Sequence, residues 1–420
     1  MRRREFLSRA ALAAATAATW RAGASSASSD SPRVVVVGGG FAGGACALRL
    51  RSLNPAIHVT LVDPDSRYVT CPMSSAALVD LRSIGSITAT REGLKRAGVK
   101  YVHDQVSSID AARRRVRLRS GSELVYERLV IAPGIRFLFG TPDGYDEAAA
   151  LHMPHAWQAG AQTELLAAQL RTMSDGGTVA ISVPTGLMRC PPGPYERASL
   201  IAHWLKEHRA RSKVLIFDAN NHFPRQDIFS ANWQELYPGM IEWIPPGEGG
   251  VITRVDVKRR TLYSAGGVHR VAVANIIPPQ APGSLASAAG LASGHGWCPI
   301  KPASFESELL DNVHVIGDAC IAGAMPKSAS AAHSQALHCA AAIAAAFDGR
   351  ATPPFDMDSV CYSMVSPQSA LALRGKFELN DGEIRQVAAA TNAPDQAATA
   401  EHLREATVWY ENIRSECFAS

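Results

Sequence analysis

Residues 32–53 read PRVVVVGGGFAGGACALRLRSL, and this stretch decides the fold. Pro32–Val37 is an unbroken β-branched run, the pattern of a strand buried on both faces in a parallel sheet. Gly38, Gly40 and Gly43 follow at G-x-G-x-x-G spacing and open the helical stretch ACALRLRSL. The next strand, HVTLVD, ends at Asp63, 20 residues beyond Gly43. Each position has a physical task. Gly38 permits the tight turn, Gly40 lets backbone approach a pyrophosphate, Gly43 lets helix and strand pack closely, and Asp63 takes a ribose hydroxyl. A glycine triplet alone is weak evidence; strand, glycines, helix, strand and acid in this order specify a dinucleotide-binding unit.

Two further buried strands end in turns of the same kind. YERLVIAPGIRF (residues 126–137) runs into Ala132-Pro133-Gly134, and NVHVIGDACIAG (312–323) into Gly317-Asp318. These strand ends resemble the second and third signatures of two-dinucleotide-domain flavoproteins related to glutathione reductase. That resemblance implies FAD, with the Asp of Gly-Asp on its ribityl chain; Pro133 stands where the group has Thr. Pro326-Lys327-Ser328 then leads into ASAAHSQALHCAAAIAAAF, an Ala-rich helix ended by Gly349. A helix start beside Lys327 and Ser328 offers an electropositive end to the pyrimidine edge of a reduced flavin. Simple packing of an Ala-rich helix is the plain alternative.

The middle of the chain repeats the strand pattern without the glycines. TVAISV (178–183) and KVLIFD (213–218) read as parallel strands, and between them lies PTGLMRCPPGPYER. Proline has no N–H to offer a pyrophosphate, so a nicotinamide nucleotide is not expected here and a small reductant must reach the flavin instead. Cys190 precedes an expected amphipathic helix over Tyr195–His208, with Pro194 at its first position and Leu200, Ile201, Trp204 and Leu205 on one face. A thiolate is stabilised at such a helix start, and Glu196 in the first turn is a candidate proton acceptor. A buried, inert cysteine is the competing reading.

Composition bounds the rest. A chain of 420 residues accommodates two or three domains. Residues 1–24 hold five Arg against one Glu, which leaves 37 basic and 37 acidic residues in the body. A body of zero net charge argues against a nucleic-acid partner. The basic head, the weakly apolar run Ala10–Trp20 and Ala22-Gly23-Ala24 fit an export signal, and Arg3-Arg4-Glu5-Phe6-Leu7 resembles the twin-arginine type. A periplasmic chain without an integral membrane segment is expected, in a compartment where disulfides persist. The eight cysteines form no C-x-x-C, which excludes a zinc ribbon or thioredoxin-like pair, and no C-x-x-C-H, so the chain carries no c-type haem of its own. No metal ligands are proposed. Cys71 lies on a loop eight residues past Asp63, near the nucleotide edge of the sheet. Cys46 and Cys339 read as small core hydrophobes. Cys298 and Cys320 receive no role, and Cys417 has room to be exposed.

A closer resemblance covers nearly all of the chain after the signal. RYVTCPMSS around Cys71, CPPGPYERAS from Cys190, GDACIAGAMPKSASAAHSQA from Gly317, VCYSMVSP around Cys361 and VWYENI carry it. They resemble the flavoprotein subunit of flavocytochrome c sulfide dehydrogenase, a relative of sulfide:quinone reductases. The resemblance implies FAD bound covalently through Cys71, a redox-active disulfide between Cys190 and Cys361, Glu196 as base, and Trp409 near the flavin. It implies a partner c-type cytochrome subunit, carrying the haem, that docks on the C-terminal region in a heterodimer. The expected fold is α/β, with two Rossmann-like dinucleotide-binding domains and a small C-terminal interface domain. The expected limits are a signal at 1–27, a FAD domain at 32–150 and 280–350, a second Rossmann-like domain at 151–279, and an interface domain at 351–420. FAD-binding positions are Gly38, Gly40, Gly43, Asp63, Cys71, Ala132, Gly134, Gly317, Asp318, Lys327, Ser328 and Trp409. The leading expectation is oxidation of inorganic sulfide with cytochrome c as acceptor. The alternatives are an accessory flavoprotein that reactivates thiosulfate-oxidising proteins, and a sulfide:quinone oxidoreductase.

Overall fold

The computed structural model describes residues 31–294, 296–387 and 397–420. The export reading on residues 1–30 lies outside the described residues. From Pro32 the chain enters strand β1 (Arg33–Val37), helix α1 (Phe41–Leu53) and strand β2 (His58–Asp63). β3 (Lys100–His103) and β4 (Arg128–Ile131) follow. Val34, Val35 and Val36 are at most 2% exposed, as expected of a strand covered on both faces. Val35 pairs in parallel with Thr60 of β2 on one side and Leu129 of β4 on the other. Gly38 takes φ +97°, and a Cβ there would sit 2.2 Å from the Ala132 carbonyl oxygen. A Cβ on Gly43 would lie 1.8 Å from the Gly38 carbonyl oxygen. Both glycines are therefore required by close backbone approach.

A second parallel sheet is built from β5 (Thr178–Val183), helix α2 (Gly193–His208), β6 (Lys213–Asp218), β7 (Ile241–Ile244) and β8 (Val273–Ile276). Its order is β7-β6-β5-β8. After β9 (Val313–Val315) joins β4, the parallel part of the first sheet runs β3-β2-β1-β4-β9. The two sheets share one topology, third-second-first-fourth, which is the mononucleotide-binding half of a Rossmann fold. The fold is thus α/β with two dinucleotide-binding units, as the sequence implied. Ile135–Phe137 pairs antiparallel with Gln280–Pro282 and ties the two chain crossings together.

Helix α3 (Ala329–Phe347) forms because its Ala-rich run is the strongest intrinsic helix former. The Ser328 hydroxyl caps it by accepting the Ala331 N–H at 3.2 Å, and Gly349 at φ +66° follows its end. It packs on α1 through small side chains, Cys46 and Cys339 among them, both fully buried. The remainder forms a meander, β10 (Met357–Ser366), β11 (Ser369–Asn380) and β12 (Glu383–Gln386), closed by helix α4 (Ala400–Phe418). Helix α4 returns to the first unit. The Phe418 ring lies 5.4 Å from both Phe41 and Tyr68, and the Tyr410 and Thr70 hydroxyls are 2.7 Å apart. Burying a side chain such as Phe418 contributes about 1.5–3 kcal/mol. Cys417 is fully buried here, with its carbonyl against Gly44, so it is not a surface thiol.

Candidate functional site

The ends of β1, β4 and β9 and the starts of α1, α2 and α3 open onto one cavity. Gly40, Ala132, Gly134, Gly317, Asp318 and Ser328 line it on the nucleotide side. Gly134 and Gly317 hold φ +61° and +77°, turning their strands away so that backbone faces the opening. Asp318 is enclosed, burial raises its carboxyl, and its Oδ1 has no hydrogen-bond partner. A buried, orphaned acceptor at the mouth of a glycine-walled cavity suits a polyhydroxyl chain, so the residues fit FAD. Gly38 and Gly43 shape the turn without lining the cavity. Asp63 ends β2 as expected, but its carboxylate already accepts from the Gly39 and Asp65 N–H groups and pairs with Arg91 at 3.1 Å. A ribose hydroxyl would have to share it.

The other wall carries sulfur and charge. Cys71, Cys190, Cys361, Glu196 and Trp409 all line the same cavity. Cys71 sits between the short strand Arg67–Val69 and the helix Ser74–Leu78, its thiol 3.7 Å from the Trp157 carbonyl oxygen. Cys361 lies on β10, and its neighbour Val360 donates its N–H to Ser330 Oγ at 3.0 Å, which fixes β10 to the start of α3. Burial pushes the Cys361 thiol up, while the Ser328 hydroxyl pulls it down. Cys190 and Cys361 meet here as free thiols. Glu196, in the first turn of α2, is desolvated to a pKa of about 8, with Arg197 and then the Ser363 hydroxyl pulling the other way. At neutral pH it therefore holds a proton, and it accepts one only as the pH rises through about 8.

Two expectations need correction. Helix α2 begins at Gly193, with Pro192 as its cap and Pro194 at the second position. Cys190 stands outside it at φ +53°, a left-handed conformation costing about 1–2 kcal/mol. Its thiol is not held as a thiolate by the helix start: burial dominates, Cys361, Glu196 and Cys71 add to it, and the thiol is pushed well above its usual range. Lys327, in turn, does not line the flavin cavity. Its ammonium donates to the carbonyls of Asp318 at 2.8 Å and Cys320 at 2.9 Å, and lies 3.8 Å from the centre of the Trp297 ring. The electropositive α3 start is at the cavity; the lysine is turned away from it.

Several lining residues were missed. Arg189 and Arg197 flank Cys190 in the very motif the sequence singles out, and adjacency was the available signal. Tyr68 and Trp157 also line the cavity, and Trp157 gave no signal at all. Gly193 has a clear reason: a Cβ there would lie 3.1 Å from Cys190 Sγ and 2.7 Å from the Trp157 ring. Its missing side chain makes room for the sulfur.

Similarity to known proteins agrees with this geometry. Residues 163–278 match the family model for the central part of the sulfide dehydrogenase (flavocytochrome c) flavoprotein chain. Residues 353–418 match the flavin-binding domain of flavocytochrome c sulfide dehydrogenase, and residues 32–162 match the pyridine nucleotide-disulphide oxidoreductase family. The chain is 61% identical over 44 residues to the sulfide dehydrogenase (flavocytochrome c) flavoprotein chain of Chlorobaculum thiosulfatiphilum, covering 10% of this chain and 92% of that sequence. It is 22% identical over 327 residues to the mitochondrial sulfide:quinone oxidoreductase of Mus musculus, covering 72% of this chain and 68% of that one. The fold is similar to the crystal structure of the Aquifex aeolicus sulfide:quinone oxidoreductase, with a TM-score of 0.70, 18% identity and 93% of each chain covered. With flavin-facing glycines, the Asp318 acceptor and two cysteines on one cavity, the chain belongs to the flavocytochrome c sulfide dehydrogenase flavoprotein family, homologous to the sulfide:quinone oxidoreductases.

Proposed function

We propose that the chain oxidises sulfide at a Cys190–Cys361 disulfide and passes the electrons through FAD to a c-type cytochrome subunit in the periplasm. The observation that carries this reading is the meeting of Cys190, from the turn after β5, with Cys361, from β10, on the cavity that holds the flavin-facing groups. Oxidised to a disulfide, this pair accepts a nucleophile and divides one hard oxidation into two easier steps. Hydrosulfide opens the bond, leaving a persulfide on one sulfur and a thiolate on the other. Glu196 serves as proton acceptor on the alkaline side of its pKa. When bound, FAD accepts two electrons and releases them singly. Gly40, Gly134, Gly317 and Asp318 would hold it, and Cys71, on the same cavity, would be its covalent attachment. Trp409 closes the side next to helix α4.

Two other acceptors fit the same site. The mouse and Aquifex relatives are named as quinone-reducing enzymes, which favours a quinone reading. A role in reactivating thiosulfate-oxidising proteins would use the same dithiol in reverse. Anaerobic mixing of the purified protein with sulfide should bleach the flavin. Offering the reduced protein a c-type cytochrome, a soluble ubiquinone analogue or an oxidised thiosulfate-oxidising protein then separates the three readings. Faster reduction of cytochrome than of quinone supports the leading one, and failure of sulfide to bleach the flavin overturns it.

A further inference from the structure

A second opening reaches the cysteine pair from outside the flavin cavity. It is a groove walled by Pro191 and Pro192 ahead of α2, by Leu373 and Gly375 of β11, and by Arg225 and Arg374. Among the described residues, Cys361 lines both openings, whereas Cys190 lines the flavin cavity and not the groove. The turn after β5 explains the difference. Cys190 takes φ +53°, and its N–H is held by the Lys327 carbonyl at 2.8 Å. Its sulfur is thereby on the flavin cavity, while the two prolines that follow it face the groove.

Leu373 is placed to control this approach. It is the antiparallel partner of Cys361, directly opposite it on β11, and both residues line the groove. Side chains of directly opposite residues share one face of a sheet with their Cβ atoms about 4.5–5.5 Å apart, so the leucine stands beside the sulfur. Among the described residues the charged groups lining the groove are the two arginines, and no carboxylate lines it. Each arginine has one acid behind it, Asp227 at 4.0 Å from Arg225 and Glu405 at 2.5 Å from Arg374. A narrow passage walled by proline, leucine and glycine, with cations along it, suits a small, weakly hydrated anion.

We propose that this groove is the entry for the hydrosulfide anion, and that Leu373 is the gate that sets the size of what reaches Cys361 through it. This rests on the sulfide-oxidation reading above. In the step, hydrosulfide sulfur bonds to Cys361 Sγ and keeps its proton. The Cys190–Cys361 bond breaks, and its electron pair passes to Cys190 Sγ. The products are a Cys361 persulfide and a Cys190 thiolate, and no further oxidant is needed. Sulfur thus arrives from the groove while the electron pair moves toward the flavin cavity, so a bound cofactor need not make way for substrate. Leu373 selects what enters and takes no part in the bond exchange.

The test uses flavin-loaded protein. Bleaching of the wild-type flavin by sulfide is measured first by anaerobic stopped flow; if none occurs, the sulfide-oxidation reading fails whatever the groove does. In Leu373→Trp the second-order constant for bleaching should fall about tenfold, with the limiting rate at saturating sulfide changed less than about twofold, as for a step of entry rather than of chemistry. The dithiothreitol-reduced protein is then alkylated, and the Cys190 and Cys361 peptides are quantified by mass spectrometry. Leu373→Trp should slow iodoacetamide labelling of Cys361 about tenfold and leave Cys190 within about twofold. Leu373→Ala should act in the opposite direction, raising labelling of Cys361 by the bulkier N-ethylmaleimide about fivefold, and gives the same reading if the Trp variant does not fold. Unchanged labelling of Cys361, or equal changes at both cysteines as general loosening would give, overturns the proposal.

Discussion

The two parallel sheets are copies of one topology, yet the turns after their first strands do unrelated work. Between β1 and α1 the chain spends three residues, Gly38 to Gly40, and keeps its backbone close to the cavity. Between β5 and α2 it spends nine residues, Pro184 to Pro192. There the N–H groups of Arg189 and Cys190 are taken by Gln280 and by the Lys327 carbonyl at 2.8 Å each. Prolines supply none. One copy of the fold spends its Gly38 and Gly39 donors on Val62 and Asp63 and turns Gly40 and the start of α1 toward the cavity; the other brings a sulfur and a guanidinium there. The topology fixes where a turn points, and the turn's residues decide the chemistry it carries.

Breaking each turn should therefore break a different property. Cys190→Ser should lower sulfide-driven flavin bleaching more than about a thousandfold while FAD stays bound, read by anaerobic stopped flow and the flavin spectrum. A variant that bleaches at a near-normal rate but melts earlier would show that the cysteine only supports structure.

Gly38→Ala in the first turn should do the reverse. A methyl 2.2 Å from the Ala132 oxygen at positive φ forces the strand ends apart, so FAD content should collapse along with stability. Gly186→Ala in the second turn is the control. At φ +89° with nothing near its Cβ it should cost only backbone strain, about 1–3 kcal/mol, and leave the FAD content unchanged. Equal flavin loss in both would erase the distinction between the turns.

Glu196 sharpens the comparison through pH. Its folded pKa of about 8 exceeds its ordinary 4.5, so the folded state keeps a proton that the unfolded chain releases. The stability associated with this group is therefore full below about pH 4.5 and declines as pH rises to about 8. Glu196→Gln should flatten that part of the melting-temperature profile. It should also remove the activity limb centred near pH 8. Should the Gln variant keep that limb, another group owns the proton.

The smallest effect belongs to the nicotinamides. NADH or NADPH at micromolar concentration should leave the flavin oxidised, because the second turn offers no phosphate cradle. Rapid bleaching would mean that donors elsewhere replace the missing ones.

What was legible in the sequence was local. Gly38 and Gly43 announce close backbone approach because no other residue tolerates it, and the Cys190 motif announces itself by its prolines. Lys327 was misplaced because the direction of a side chain ahead of a helix depends on which carbonyls lie nearby, here those of Asp318 and Cys320. Arg189 was passed over because its setting comes from Trp157 and from Gln280, 91 positions away. The β10–β12 meander was unreadable for a related reason. Its first strand breaks the usual alternation, since Ser359 and Ser363 are buried rather than turned out to water.

The cavity takes its walls from Gly40 at one extreme and Trp409 at the other. A nascent chain still short of helix α4 has its glycine turn complete but no opposite wall, and Phe41 and Tyr68 lack their cover from Phe418. The complete cavity is therefore a late event in the life of the molecule. It follows synthesis of Trp409 rather than accompanying the first domain out of the ribosome.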